Sequence, residues 1–235
     1  MYNDLFSADS LAELQAVLPQ IPFAIWETLY VTLLSMLLAT VIGLPLGVLL
    51  VTGEKEGIRP LPRWLMTVLN AVINLLRSVP FLILMIIALP LSKLIVGTKV
   101  GTAATIPPMV IAAFPLVARM VESSLREVNQ GVVEAAQSMG ASALQIVGKV
   151  LLPEALPSLI SGGTITVGTI LGYGAMAGII GGGGLGKMAI NYGYYNFKFL
   201  VMWAAVIGLI ILVQVFQSAG THIAVKCDKR LRNRS

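Results

Sequence analysis

Charged residues are scarce in this chain. Asp, Glu, Lys and Arg together make up 11% of its 235 residues, whereas a soluble domain carries about a quarter. Hydrophobic residues account for 57%. This shortage of charge excludes an ordinary soluble domain and indicates an integral membrane protein that contacts lipid.

Cysteine and histidine each occur once, which excludes several kinds of chemistry. Cys227 alone cannot form an intrachain disulfide. His222 has no cysteine or carboxylate at metal-ligand spacing, so we expect no metal site and interpret it as a residue at a helix end. The apolar segments contain no Ser/His/Asp, Cys/His or paired-carboxylate arrangement. We therefore expect a protein that is not an enzyme.

Basic residues are missing from the first 20 positions, which argues against a cleavable signal peptide. We interpret residues 1–28 as an external lead-in segment and the first apolar run as the insertion signal. The formal net charge of +5 arises from basic residues at the ends of apolar segments and in the tail 226–235. That placement fits membrane topology, so we expect no nucleic-acid partner.

Five segments are long and apolar enough to be membrane spans, each of which needs about 20 residues. They are 29–51, a stretch within 64–91, 102–118, 155–180 and 199–225. The first contains Gly43-x-x-x-Gly47, a spacing that permits close helix contact. Arg77 to Pro80 interrupt the second, and we place Arg77 at its inner boundary, with a position facing the pore as the alternative. The predicted fold is an all-α membrane domain, 29–225.

The distribution of Lys and Arg places the N-terminus outside. In this orientation eleven basic residues lie inside and four outside, with Arg77 unassigned. Omitting the third span, which is short and contains three prolines, would give five inside against ten outside. Five spans are therefore the consistent number, and they place a loop over 119–154 in the cytoplasm.

The most informative segment is E-A-A-Q-S-M-G-A-S-A-L-Q-I-V-G-K-V-L-L-P, from Glu134 to Pro153. On one helix, its apolar residues recur at three- and four-residue steps and form a stripe: Val132, Ala136, Met139, Ala143, Ile146 and Val150. We predict a docking helix that ends at Pro153. A helix lying on the bilayer surface is the alternative, although it would carry more basic residues than the single Lys149.

This segment resembles the coupling loop of permease subunits from bacterial ATP-binding-cassette (ABC) importers. The residues that match the family pattern are Glu134, Ala135, Ala136, Gly140, Val150, Leu152 and Pro153. Three further motifs resemble the methionine branch of these importers: R-S-V-P-F-L-I-L-M, A-A-F-P-L-V-A-R-M-V-E and G-Y-G-A-M-A-G-I-I-G-G-G-G-L-G. The resemblance covers most of the chain.

The resemblance implies a homodimer in the bacterial inner membrane. It also implies two ATPase subunits that carry ATP and Mg²⁺, an external lipid-anchored binding protein, and methionine, in L- and D-form, as substrate. The chain itself would bind no cofactor. Another small amino acid or a peptide is an alternative substrate. A secondary transporter that works without an ATPase and an anchor subunit of an enzyme complex are alternative functions, although the clear spans contain no Asp or Glu for an ion site.

The fourth predicted span and the turn after it contain the candidate substrate path. Met176 has a polarizable thioether that suits a methionine substrate, and Tyr173 lies one turn earlier on nearly the same face. Small residues that would permit helix packing or gating surround them: Gly172, Gly174, Gly178, Gly181, Gly182, Gly183, Gly184 and Gly186. G-G-G-G-L-G-K has the spacing of a phosphate-binding loop, but Met188 replaces the required Ser or Thr. We interpret it as a glycine turn.

Overall fold

The computed structural model describes residues 8–228, and helices are the only regular secondary structure in that range. Ten α-helices follow in chain order: α1 Ala8–Val17, α2 Ile21–Thr52, α3 Arg63–Ser78, α4 Phe81–Val96, α5 Ile106–Arg126, α6 Gln130–Ser138, α7 Ala143–Ile146, α8 Leu152–Ala177, α9 Gly184–Met188 and α10 Phe199–Cys227. Two π-helical segments, Val147–Leu151 and Ala189–Tyr195, connect neighbouring helices.

Four helical stretches are long and apolar enough to cross a membrane: Ala8–Thr52, Ala103–Arg126, Ala143–Ile180 and Phe199–Cys227. Helices α3 and α4 meet the same criterion only as a pair separated by a bend, which raises the number to five. The predicted all-helical membrane fold is confirmed. The second of the five predicted spans is this broken pair.

The break between α3 and α4 lies at the predicted interruption. Val79 is extended, with φ −78° and ψ 128°, and Pro80 precedes the first residue of α4. A residue before proline is disfavoured in the α region, which explains why the helix ends here. Arg77 is exposed in the last turn of α3. Arg77 thus lies at the break between the two helices of this pair, and its placement at the inner boundary of the span stays a prediction.

Several helix ends differ from the predicted spans. Helix α2 begins at Ile21, inside the predicted lead-in 1–28. Helix α5 runs to Arg126, so the predicted coupling loop 119–154 begins within a helix. Pro107 and Pro108 do not prevent α5 from forming, because they lie in its first turn, where a missing N–H breaks no helical hydrogen bond. In the predicted tail 226–235, positions from 229 onward lie outside the described residues.

The chain divides into two compact units. The first comprises residues up to Leu37, Pro80–Ala112 and Val167–Phe216. Its core joins α1, α2, α9 and α10 through buried apolar side chains: Val17, Ala24, Leu185, Met188, Val201 and Ala205.

The second unit comprises Leu38–Val79, Ala113–Thr166 and residues from Gln217 onward. Leu50, Ile73 and Ala118 form a buried cluster that joins α2, α3 and α5. Gly43 and Gly47 lie against α5, as the Gly-x-x-x-Gly spacing predicts. A Cβ on Gly43 would lie 2.7 Å from the carbonyl oxygen of Phe114, and one on Gly47 would lie 2.6 Å from that of Ala118. Close helix contact at this motif is therefore confirmed.

Candidate functional site

The coupling segment, residues 130–153, lies in the second unit and begins with α6. Asn129 caps this helix by accepting the N–H of Gly131 at 2.8 Å. At the other end, Gly140 has φ +79°, its N–H donates to Gln137 O at 2.9 Å, and Ala141 N–H donates to Ala136 O at 3.1 Å. These two bonds and the left-handed glycine form a Schellman motif, which ends α6.

A second helix begins at once after this turn. Ser142 and Gln145 form a capping box, in which each side chain accepts the backbone N–H of the other residue. From Ala143 the backbone continues through the π-helical turn Val147–Leu151 into α8, and the helical stretch reaches Ile180. The coupling segment is therefore joined to a membrane span without an intervening loop.

Two predictions for this segment are wrong. It is not one helix with one apolar stripe, because the left-handed Gly140 divides it. Pro153 does not end a helix, because it lies at the start of α8. A proline would clash with the carbonyl four residues earlier in a regular α-helix. The wider π-helical turn that immediately precedes α8 accommodates it.

The break changes which apolar residues are buried. Val133 and Ala136 are the buried side chains of α6, and Ile146 is the buried one of α7. Met139 and Leu144 are each 80% exposed. They lie on either side of the Gly140 turn and give the coupling segment an exposed apolar tip.

The residues of the family pattern are distributed along the whole segment. Glu134 and Ala135 are exposed on α6, whereas Ala136 is buried. Glu134 lines a cavity of about 520 Å³ together with polar residues of the second unit, among them Glu54, Glu56, Arg126, Gln130 and Gln137. Val150 and Leu152 are half-buried and Pro153 is exposed. Their roles in coupling stay predictions.

A network of charged residues lies beside the coupling segment, in the same unit. Arg126 donates to both carboxylate oxygens of Glu54 and, at 2.9 Å, to Glu122. Glu122 also accepts Arg119 Nη1 at 2.6 Å. Arg119 Nη2 then donates to Asn70 at 2.8 Å and to Asn74 at 2.9 Å, both on α3. Glu122 thus pairs with Arg119 at three-residue spacing and with Arg126 at four-residue spacing on α5, and the network extends to α3.

The candidate substrate-path residues lie in the first unit. The Tyr173 ring stacks on Phe81 of α4, with 4.1 Å between centroids. Met176 is 46% exposed one turn later on α8. Gly172 is exposed too, and a Cβ added there would meet no atom within 4 Å among the described residues. Whether substrate passes Tyr173 or Met176 remains a prediction.

Some of the other predicted glycines of the first unit allow two backbone segments to approach closely. A Cβ on Gly178 would lie 2.5 Å from Lys187 N, and one on Gly186 would lie 2.7 Å from Ala175 O. Because neither glycine has a Cβ, the backbone of α9 can pack directly against the backbone at the end of α8. A Cβ on Gly174 would lie 3.8 Å from the Met109 side chain, an ordinary contact. Residues 181–184, named here the glycine turn, form the reversal, with Gly181 and Gly184 at positive φ.

Sequence reasoning missed Glu27, which lies in the segment interpreted as a lead-in. The structure places it in the second turn of α2, where its carboxylate accepts the Gly184 N–H at 2.8 Å and the Thr102 hydroxyl. A carboxylate in a helix that crosses a membrane marks a functional or structural site. The isolated acidic residue at position 27 of a mainly apolar stretch was the available signal.

The comparisons with known proteins agree with this architecture. The family described as "Binding-protein-dependent transport system inner membrane component" matches residues 43–229. The chain belongs to this family. It is a multi-pass membrane permease subunit of an ABC importer, and ATP hydrolysis resides in a separate ATPase subunit. The predicted resemblance is confirmed.

Individual relatives are similar over most of the permease. The chain is 51% identical over 210 residues, 88% of its length and 92% of the relative, to the "Probable D-methionine transport system permease protein MetI" of Vibrio cholerae. It is 46% identical over 164 residues, 70% of its length and 74% of the relative, to the "Methionine import system permease protein MetP" of Bacillus subtilis.

A solved structure has the same fold. A chain from the structure described as "Inward facing conformations of the MetNI methionine ABC transporter" superposes with a TM-score of 0.89 at 42% identity, covering 91% of this permease and 99% of that chain. Membership of the family makes this permease one component of a system that also contains an ATPase and a binding protein.

Proposed function

We propose that this permease forms the translocation pathway for methionine, in both L- and D-form. The relatives from Vibrio cholerae and Bacillus subtilis are named for methionine transport, and each is similar over 70% or more of this chain. The exposed thioether of Met176 on α8 fits such a substrate, because a flexible, polarizable thioether packs well against an apolar side chain.

The assembly that we propose contains two copies of the permease, two ATPase subunits beneath them and an external lipid-anchored binding protein. ATP and Mg²⁺ belong to the ATPase. Gly172 and Met176 on α8, and Ile179 in the helical turn that follows it, are exposed at helical spacing on one copy. A second copy facing this side of the helix would enclose a path between the two permeases.

The observation that carries the proposal is the uninterrupted helical connection from the coupling segment to α8. ATP binding draws the two ATPases together and moves the tip at Met139 and Leu144 with them. Because Ala143 and Ala177 belong to one helical stretch, a displacement of the tip moves α8 as well. This rigid-body movement of α8 switches access to the pore from one side of the membrane to the other.

Uptake of radiolabelled methionine in a strain that lacks its own methionine importer tests this function. Cells that express the permease with its ATPase and binding protein should accumulate label, and unlabelled D-methionine should compete. Cells without the ATPase should accumulate none. Competition by other amino acids but not by methionine would contradict the assignment of methionine as the substrate. Uptake without the ATPase would contradict the ABC mechanism.

A labelling experiment tests the orientation. A cysteine introduced at Glu134, in a Cys227→Ser background, should react with a membrane-impermeant thiol reagent only after the cells are opened. Reaction on intact cells would place the coupling segment outside and contradict the proposed contact with the ATPase.

A further inference from the structure

The first turn of α9 lacks a capping side chain of its own. Its N-cap residue is Gly183, which makes no side-chain hydrogen bond. The first N–H groups of any helix have no partner within the helix and need acceptors from elsewhere. In this structure, two successive residues of α2 supply them.

Glu27 and Thr28 accept the first two N–H groups of α9. The Glu27 carboxylate accepts Gly184 N–H at 2.8 Å, and Thr28 Oγ1 accepts Leu185 N–H at 2.9 Å. Thr28 in turn donates its hydroxyl proton to the carbonyl of Ala24 at 2.8 Å, which orients the oxygen lone pairs toward α9. The partners are separated by 157 positions in sequence, so these bonds tie distant parts of the first unit together.

The glycine turn is shaped to receive this carboxylate. A Cβ on Gly183 would lie 2.8 Å from both oxygens of Glu27, so a side chain there would displace it. Gly184 has φ +79°, a conformation that residues with a side chain rarely adopt. The other end of the turn is also held, because Gly101 N–H donates to Gly181 O at 2.9 Å.

Thr102 completes the arrangement by donating its hydroxyl to the second oxygen of Glu27. Thr102 immediately follows Gly101, so the segment that holds Gly181 also holds Glu27. The carboxylate therefore joins α2, the segment at Gly101 and Thr102, and the glycine turn. The turn follows closely on the part of α8 that carries Tyr173 and Met176.

We propose that Glu27 is a positioning residue of the transport cycle, which holds the glycine turn and thereby keeps the adjacent end of the substrate path closed while the permease faces inward. This inference rests on the proposed function. Release of Glu27 should shift the population of the complex toward the state that ATP binding favours. Basal ATP hydrolysis should then rise, and less methionine should be imported for each ATP hydrolysed.

The test uses the complete complex, reconstituted in liposomes with binding protein, and measures ATP hydrolysis and methionine uptake in the same preparation. Glu27→Ala should raise hydrolysis without binding protein about fivefold or more and lower the uptake per ATP by a similar factor, within the usual range of coupling between sites. Thr102→Val removes one bond and should have a smaller effect in the same direction.

Glu27→Gln is the conservative variant. Its amide oxygen can still accept Gly184 N–H and its NH₂ group can donate to Thr102, so the ratio of uptake to hydrolysis should return toward that of the unmodified complex. Glu13→Gln is the matched control. This variant breaks the 3.0 Å ion pair between Glu13 and Lys198. The pair is partly exposed and lies in the same unit, so its loss should leave the ratio of uptake to hydrolysis unchanged.

A role in folding alone would lower hydrolysis and uptake in proportion, and that result would overturn the proposal. So would an unchanged ratio in Glu27→Ala. If the complex with Glu27→Ala does not assemble, the Thr102→Val variant provides the test. An unchanged ratio of uptake to hydrolysis in that variant would overturn the proposal. An unmodified complex that hydrolyses ATP but imports no methionine would instead refute the proposed function.

Discussion

The ring of Tyr173 lies parallel to that of Phe81, with planes inclined by 3° and centroids 4.1 Å apart. One face of the tyrosine is therefore covered by the first residue of α4. Met176, one turn further along α8, remains 46% exposed. Of the two side chains predicted to meet substrate, the thioether is accessible in this subunit, whereas the tyrosine ring also helps to position α8.

Met176→Ala should lower the maximal uptake of methionine at saturating binding protein. If the contact is of the size known for sulfur–aromatic pairs, about 0.3–1.5 kcal/mol, its loss corresponds to a reduction of about twofold to tenfold. Uptake of norleucine, which has a methylene in place of sulfur, should fall less. Leu156→Ala, which alters an exposed apolar residue near the other end of α8, serves as control. An equal loss for both substrates would contradict a sulfur contact.

Gly140→Ala should weaken association with the ATPase. Its φ of +79° is strained for any residue with a Cβ, at a cost of about 1–2 kcal/mol, so the turn between α6 and α7 would shift. Gly140→Asn should retain more function, because asparagine tolerates this conformation better. A larger or charged residue should abolish transport while the protein remains in the membrane.

Co-purification with the ATPase and methionine uptake measure this effect. Gly148→Ala is the matched control, since an added Cβ there meets no atom within 4 Å in the part of the chain that the structure describes. Unchanged uptake and intact co-purification in a bulky Gly140 variant would show that the shape of this turn is not needed for coupling.

Gly43→Ala should lower the thermal stability of the purified permease. The new Cβ would lie 2.7 Å from the carbonyl oxygen of Phe114 and from Val117 Cβ, and neither atom can move without moving α5. Overpacking of this kind costs about 1–3 kcal/mol. In Gly208→Ala the nearest atom is the end of the flexible Leu185 side chain, at 3.2 Å. An equal loss of stability in the two variants would be inconsistent with rigid packing at Gly43.

Arg119→Met and Arg126→Met should differ in their effect on stability. Arg119 and Glu122 have side chains that are 21% and 12% exposed, and removing one member of a largely buried pair costs about 3 kcal/mol. Arg126 pairs with Glu54, which is about half exposed, and with Glu122, which retains Arg119 as a partner when Arg126 is replaced. Its loss should therefore cost about 1 kcal/mol or less. Thermal unfolding of both variants at low and high salt measures the difference, and equal losses would contradict the role of burial.

Residues close together in sequence carried the predictions that the structure and the comparisons confirm. The lengths of the apolar runs, the positions of the prolines and the Glu134 to Pro153 pattern are local features. They predicted the spans, the break before Pro80 and the family. The Gly-x-x-x-Gly pattern at Gly43 also predicted a close helix contact, although the sequence did not identify α5 as the partner.

The division of the coupling segment at Gly140 depended on tertiary structure. Val132 to Val150 fit a single amphipathic helix by spacing alone, because glycine is compatible with both a continuous helix and a left-handed turn. Packing of Val133 and Ala136 in the second unit, the Schellman bonds at Gly140 and the capping box at Ser142 favour the turn.

By itself, the sequence determined that this chain is a helical membrane permease, because hydropathy and motif spacing act over a few turns of helix. Only the tertiary structure decided which groups far apart in the chain satisfy one another. The Glu27 carboxylate and the N–H of Gly184 are 157 positions apart. Each lacks a local partner, and only the packing of α2 against α9 brings them within hydrogen-bonding distance.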